Sequence, residues 1–90
     1  MKNTLQVAYN AMNNKLAEDI KVIDIRAVNP FVDYFIIGSA SSIRKAFAII
    51  EEIYDECEKE NIETRFVQND KESRWLVADL NDVVCHVFVG

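Results

Sequence analysis

Apolar and polar positions repeat along this chain with a changing period, and each change marks an element. From Leu5 the apolar residues fall at Leu5, Ala8, Tyr9, Met12 and Leu16, the one-face spacing of a helix, with Asn3 or Thr4 placed to cap it. Ile20 to Val28 is rich in β-branched residues and too interrupted by charge for a helical core, so it predicts a strand with both faces partly covered. Asn29-Pro30 ends that strand, because Pro30 pushes Asn29 out of helical geometry and cannot donate to a ladder. A second apolar run, Tyr34-Phe35-Ile36-Ile37, stops at Gly38-Ser39. Ser41 or Ser42 then opens the longest helix, whose stripe of Ile43, Ala46, Phe47, Ile50, Ile53, Tyr54 and Cys57 steps by three and four.

Beyond that helix, Ile62 to Val67 predicts a short exposed strand and Gln68 to Ser73 a polar loop. The β signal is clearest at the end. Trp75 to Leu80 and Val83 to Val89 flank Asn81-Asp82, two polar residues that tolerate positive φ, and so read as a tight hairpin. Helix, strand, strand, helix and three strands predict the α/β class in its α+β form, one mixed sheet with helices packed on it. No repeat or linker divides the chain, and residues 1–90 read as a single domain.

Composition narrows the function classes. Half of the 90 residues are apolar and only three are Gly or Pro, which excludes disordered and low-complexity readings. Ten Lys and Arg stand against fifteen Asp and Glu, for a net charge of −5. A nonspecific nucleic-acid binder needs a basic stripe to displace counterions, and a peripheral membrane protein needs cations for anionic lipid; this chain is expected to bind neither. Between Glu51 and Glu63 seven acidic residues accompany the single Lys59, so the second helix and its exit carry the excess. The apolar stretches reach only four or five residues, and the polar start has no apolar core of a secretory signal. Two isolated cysteines, Cys57 and Cys85, form neither a disulfide framework nor a CxxC site, and a reduced, cytoplasmic protein is expected.

Few residues invite chemistry. His86 shares a strand face with Val84 and Phe88, and no nucleophile motif points at it, so it reads as a structural or interface residue. One His with two remote Cys is a poor metal set, and neither a metal nor a cofactor is expected. Ile36-Ile37-Gly38-Ser39 before a helix reads as strand, small-residue turn and helix N-terminus, a candidate anion site of Gly38, Ser39 and Arg44. A nucleotidyltransferase built on such a turn needs paired carboxylates on the next strand to hold magnesium. Glu63-Thr64-Arg65-Phe66-Val67 supplies none, Glu63 and Arg65 being placed for a salt bridge, so no catalytic residue is assigned. Trp75, the only Trp, and its neighbour Arg74 fit either core packing or an interface anchor, and Tyr34 beside Asp33 shares that ambiguity.

Read together, several blocks resemble one family. Ala17 to Arg26, Asp33-Tyr34-Phe35-Ile36-Ile37, Ser42-Ile43-Arg44, Arg74-Trp75 and Asp79-Leu80-Asn81-Asp82-Val83-Val84-Cys85-His86-Val87-Phe88 are similar, in order and spacing, to the ribosomal silencing factor (Iojap-like) family. The resemblance implies a nucleotidyltransferase-like fold without transferase chemistry. It also implies a homodimer that binds the large ribosomal subunit at its ribosomal protein of position fourteen, on the face that meets the small subunit. Bound there, members block subunit joining and lower translation when nutrients are short. On that reading Asp33 and Asp79 are charge partners, Tyr34 and Trp75 apolar anchors, and Arg74 and His86 supporting contacts. Family members usually continue past the His-Val-Phe strand, so the family's C-terminal tail is expected to be absent from a chain that stops at Gly90.

Overall fold

The computed structural model describes residues 3–90; Met1 and Lys2, part of the polar start read above, lie outside them. Helix α1 (Thr4–Asn14) begins at Asn3, whose side chain accepts from the Leu5 amide at 2.8 Å, satisfying one of the helix's orphan donors. Strands β1 (Glu18–Asp24) and β2 (Tyr34–Ala40) follow, then helix α2 (Ile43–Lys59) and strands β3 (Trp75–Asp79) and β4 (Val83–Val89). Ser42 caps α2 by accepting from the Lys45 amide at 3.1 Å.

The sheet runs in the order β1-β2-β4-β3. Only β2 and β4 pair in parallel; β1 with β2 and β3 with β4 are antiparallel. Asn81 takes φ 67° in the two-residue turn between β3 and β4, and Leu80 N–H bonds the Val83 carbonyl at 2.9 Å, closing the hairpin that the sequence predicts. Both helices pack on one side of this sheet, giving the expected α+β architecture in two layers. Ile36, Ala40, Leu76, Ala78, Val83, Cys85 and Val87 face them, against Ala11 and Met12 of α1 and Ala46, Ile49, Ile53 and Cys57 of α2. Both cysteines are free and buried in the core.

Four sequence expectations are corrected. On α1 the buried residues are Val7, Ala8, Ala11 and Met12, while Tyr9 is 38% exposed and Leu16, past the helix end with φ 60°, is 70% exposed. Strand β1 stops at Asp24, and as an edge strand with a bulge at Asp19 it has only Ile20 half-buried rather than two covered faces. Residues 25–29 turn instead, with the Val28 and Asn29 amides donating to the Ile25 carbonyl. The strand predicted over Ile62 to Val67 reduces to one bridge, Arg65 to Asp79. Finally, Gly38 and Ser39 do not form a turn: they continue β2, opposite Val87 and Phe88 of β4, and the entry to α2 is Ser41-Ser42.

The two sheet edges differ. Outside β3, Asn69 accepts from Val77 N–H at 2.9 Å and donates to the Val77 carbonyl at 3.0 Å, so a side chain stands in for a neighbouring strand. Nothing comparable covers β1 among the described residues; Lys21 and the bulge are its protection.

Candidate functional site

Strand alternation leaves the second sheet face without a helix. Register places Ile23 of β1, Phe35 and Ile37 of β2, Val84, His86 and Phe88 of β4, and Trp75 and Val77 of β3 on that face. It is predominantly apolar and aromatic, and it stays partly open to solvent, with Trp75 52%, Ile23 42% and Phe88 41% exposed. Exposed apolar surface in one contiguous patch marks an interaction site far more often than scattered single residues do.

At its centre the aromatic rings organise one another. Trp75 lies directly across from Phe88 with ring centroids 5.7 Å apart and planes 10° from parallel, and stacks on His86 at 5.6 Å. Phe35 meets the His86 ring edge-on at 4.8 Å. The Trp75 indole N–H donates to His86 Nδ1 at 2.9 Å. Because an indole can only donate, Nδ1 carries no proton and the neutral ring holds its proton on Nε2. Burial pushes the His86 pKa below its ordinary value, favouring this neutral form. Nε2 is buried and has no hydrogen-bond partner within the chain. His86 is therefore a fixed, uncharged part of an aromatic cluster; its one basic nitrogen is occupied, and no Ser or Cys hydrogen-bonds to it.

The other sequence-selected residues are dispersed. Asp79 sits at the end of β3, where its carboxylate accepts from the Asn81 amide at 2.9 Å and holds the hairpin turn. Arg74 is exposed one residue before β3, its carbonyl taken by the Val89 amide. Tyr34 lies on the helix side of the sheet, half-buried against the core, with the Arg26 guanidinium 5.2 Å above its ring. Arg26 is itself held by Asp24 at 2.6 Å, and that hydrogen bond lowers the Asp24 carboxyl to about 2. Asp33 is exposed beside Tyr34, and its amide and carbonyl are engaged with Asp82 and Ile25. Of the six interface residues read from sequence, then, Trp75 and His86 form one contact, and Asp33, Tyr34, Arg74 and Asp79 are not brought together with it. Phe88, Phe35, Ile37 and Ile23 were not assigned to the site, although they sit at even steps from His86 or directly across the register.

The arrangement expected for an anion is not formed by Gly38 and Ser39. A Cβ on Gly38 would stand 2.8 Å from Met12 Cε, so this glycine admits a packed side chain. Ser39 spends its hydroxyl on the Glu18 carbonyl at 3.2 Å, and Arg44 is exposed on α2. Likewise Arg65 does not pair with Glu63: its Nε donates to Asn81 Oδ1 at 3.0 Å, and Asn81 Nδ2 donates to the Glu63 carbonyl, so Asn81 links both through other atoms. Among the described residues no group of three or more His, Cys, Asp or Glu converges for a metal, and no helix is long and apolar enough to cross a membrane.

Comparison with known proteins follows the same lines as the motifs. A family model described as "Ribosomal silencing factor during starvation" matches residues 1–90. The ribosomal silencing factor RsfS of Bacillus subtilis is 37% identical over 87 residues, covering 97% of this chain and 74% of that protein. Its counterpart from Halalkalibacterium halodurans is 32% identical over 84 residues, covering 93% of this chain and 72% of that protein. Among solved structures, a Bacillus halodurans protein superposes with a TM-score of 0.86 at 32% identity, over 94% of this chain and 79% of that one. A Chromobacterium violaceum protein shares the fold with a TM-score of 0.87 at 21% identity, over 96% of this chain and 72% of that one.

Proposed function

This chain belongs to the ribosomal silencing factor family, and from that premise we propose that it docks by its open sheet face on the large ribosomal subunit and keeps the small subunit from joining. The observation that carries the proposal is the aromatic patch of Trp75, His86 and Phe88, left uncovered on a sheet whose other side holds both helices. The partner is the ribosomal protein of position fourteen on the intersubunit face. Trp75 is the anchor, Phe88 and Ile23 widen the apolar contact, and His86, stacked on Trp75 and bonded to its indole N–H, holds that anchor in place.

Charge assists in a second way. A chain of net charge −5 is attracted to a basic protein surface, which raises the encounter rate and sets orientation more than it adds affinity. Asp79, opposite Val84 in the register, and the exposed Asp33 and Arg74 serve as secondary contacts, while Tyr34, on the helix side of the sheet, lies outside this surface. Silencing then needs no chemistry: the domain, about 31 × 29 × 23 Å, fills space the small subunit requires. It acts in the cytoplasm, when nutrients are short, and forms a homodimer.

Co-sedimentation with isolated large subunits tests this reading. Wild-type protein is expected in the subunit fraction at low salt, with binding that weakens as salt is added. Trp75→Ala removes the central anchor and should weaken binding by about 30-fold, the equivalent of about 2 kcal/mol. Its circular dichroism spectrum should be unchanged, because half of the Trp75 surface is already in water. Undiminished binding by a folded Trp75→Ala variant would place the docking surface elsewhere.

A further inference from the structure

A second apolar surface lies on the helix side of the molecule, away from the Trp75 face. After α2 the chain returns along the β3 edge, and the segment around Phe66 is pinned at both ends. The Arg65 amide bonds the Asp79 carbonyl at 2.9 Å, and Tyr54 Oη donates to the Arg65 carbonyl at 2.9 Å while accepting from the Asp79 amide at 3.2 Å. Four residues on, Asn69 is fixed to Val77 by its two side-chain bonds. The stretch between these anchors is held in place, yet it presents Phe66 84% exposed.

Between this segment and α2 runs a groove of about 380 Å³. Phe47, Ile50 and Tyr54 of α2 form one wall, and Phe66 and Val67 form the other. Glu51 and Asp55 stand on its rim, and no Lys or Arg lines it. Lys59 is paired with Glu56 at 2.9 Å, and the Arg65 guanidinium is bonded to Asn81. Of the seven acidic residues between Glu51 and Glu63, Glu51 and Asp55 thus stand beside a preformed apolar slot.

We propose that this groove is a second docking surface, built for a basic segment of a partner protein that inserts one apolar side chain between Phe66 and α2 with Lys or Arg on either side. Charge selects that occupant. Phosphates of a nucleic acid would meet the Glu51 and Asp55 carboxylates with no cation to neutralise them. A second copy of this chain docking by the same patch across a two-fold axis would oppose acidic α2 to acidic α2. An uncharged apolar segment would leave the rim carboxylates unused, whereas flanking cations pair with them. The site stands apart from the open sheet face, so the chain can hold such a segment while docked by Trp75, and failure of either surface is measured separately.

The test is nuclear magnetic resonance titration of the isotope-labelled chain with a short synthetic peptide carrying one leucine between flanking lysines. Saturable amide shifts are expected at Phe47, Ile50, Tyr54, Phe66 and Val67, with Trp75 and Phe88 unaffected. Replacing the peptide leucine by glycine, or Phe66 by Ala in the protein, should each weaken binding by about tenfold or more. Phe66→Ala should leave Tm unchanged, since Phe66 is exposed. Glu51→Lys with Asp55→Lys should reverse the preference toward a peptide with glutamates flanking its leucine. Equal affinity for the glycine peptide would mean nonspecific charge attraction and overturn the proposal. So would shifts centred on the sheet face, self-association through the groove without peptide, or displacement of the peptide by an RNA oligonucleotide.

Discussion

Substituting Gly38 by Ala tests the central packing decision of the fold, the contact between α1 and β2. The new Cβ would lie 2.8 Å from Met12 Cε, 3.5 Å from Ala17 Cβ and 3.6 Å from the Glu18 carbonyl. Carbon atoms prefer separations of about 3.5–4.0 Å, so only the methionine methyl must give way, by about 1 Å. Met12 is fully buried, so its methyl has to move within packed surroundings. Overpacking of a core costs about 1–3 kcal/mol, and the three torsions of a Met place this case at the low end. Against this, replacing a Gly whose φ is not positive gains about 0.4–1 kcal/mol through the unfolded chain. The net expectation is a loss of about 0.5–1.5 kcal/mol, read by urea unfolding followed through circular dichroism, or as a fall in Tm of about 3–10 °C. The decisive measurement is the cycle with Met12→Leu, which withdraws the clashing atom at a cost under about 1.5 kcal/mol. In that background Gly38→Ala should become neutral or stabilising. An equal penalty in both backgrounds would refute the assignment of Gly38 to Met12 packing.

The remaining predictions concern the buried titratable groups. The His86 pKa is lowered in the fold from an unfolded value of 6.5, so the unfolded chain binds the extra proton more readily. The stability associated with this group is complete above about pH 6.5 and is lost as pH falls through the lowered value. His86→Gln should remove that part of the Tm-against-pH curve; identical curves for the two proteins between neutral pH and the onset of carboxylate titration would refute it. Burial pushes the Cys57 thiol up to about 11 and the Cys85 thiol higher still. Neither should react with iodoacetamide at pH 8 in the native state, and both should react in urea; mass spectrometry of native protein showing a labelled cysteine would contradict this.

Much of the fold was legible because it is written locally. The stripe on α2 repeats at helical spacing over four turns, and Asn81-Asp82 between two β-rich runs specifies its turn by chemistry alone. Gly38-Ser39 was misread for the opposite reason: small residues that signal a turn locally are, here, the space that Met12 occupies from another element, and nothing within β2 announces that. The lost strand near Phe66 has the same origin, since its residues suit a strand but only Arg65 reaches a partner. At the site, alternation put His86, Val84 and Phe88 on one face, while the parallel pairing of β2 with β4 was needed to add Phe35 and Ile37. Ile49 shows the limit within a helix: it is fully buried, one position outside the stripe that spacing selects.

The position of β4 has a consequence for how this chain is made. Ribosomes deliver residues in order, but β4, made after the other five described elements, is an interior strand that pairs with β2 on one side and β3 on the other. Until it arrives, β2 has a partner on only one edge, the hairpin is unformed, and the core residues Val83, Cys85 and Val87 are absent from the layer that α1 and α2 must cover. A parallel pairing across so much intervening sequence also forms slowly, because loop-closure entropy is spent before contacts repay it. The sheet therefore cannot close before β4 has been made. A protein whose family silences ribosomes thus has an aromatic face that is completed only when Phe88 has left the ribosome that made it.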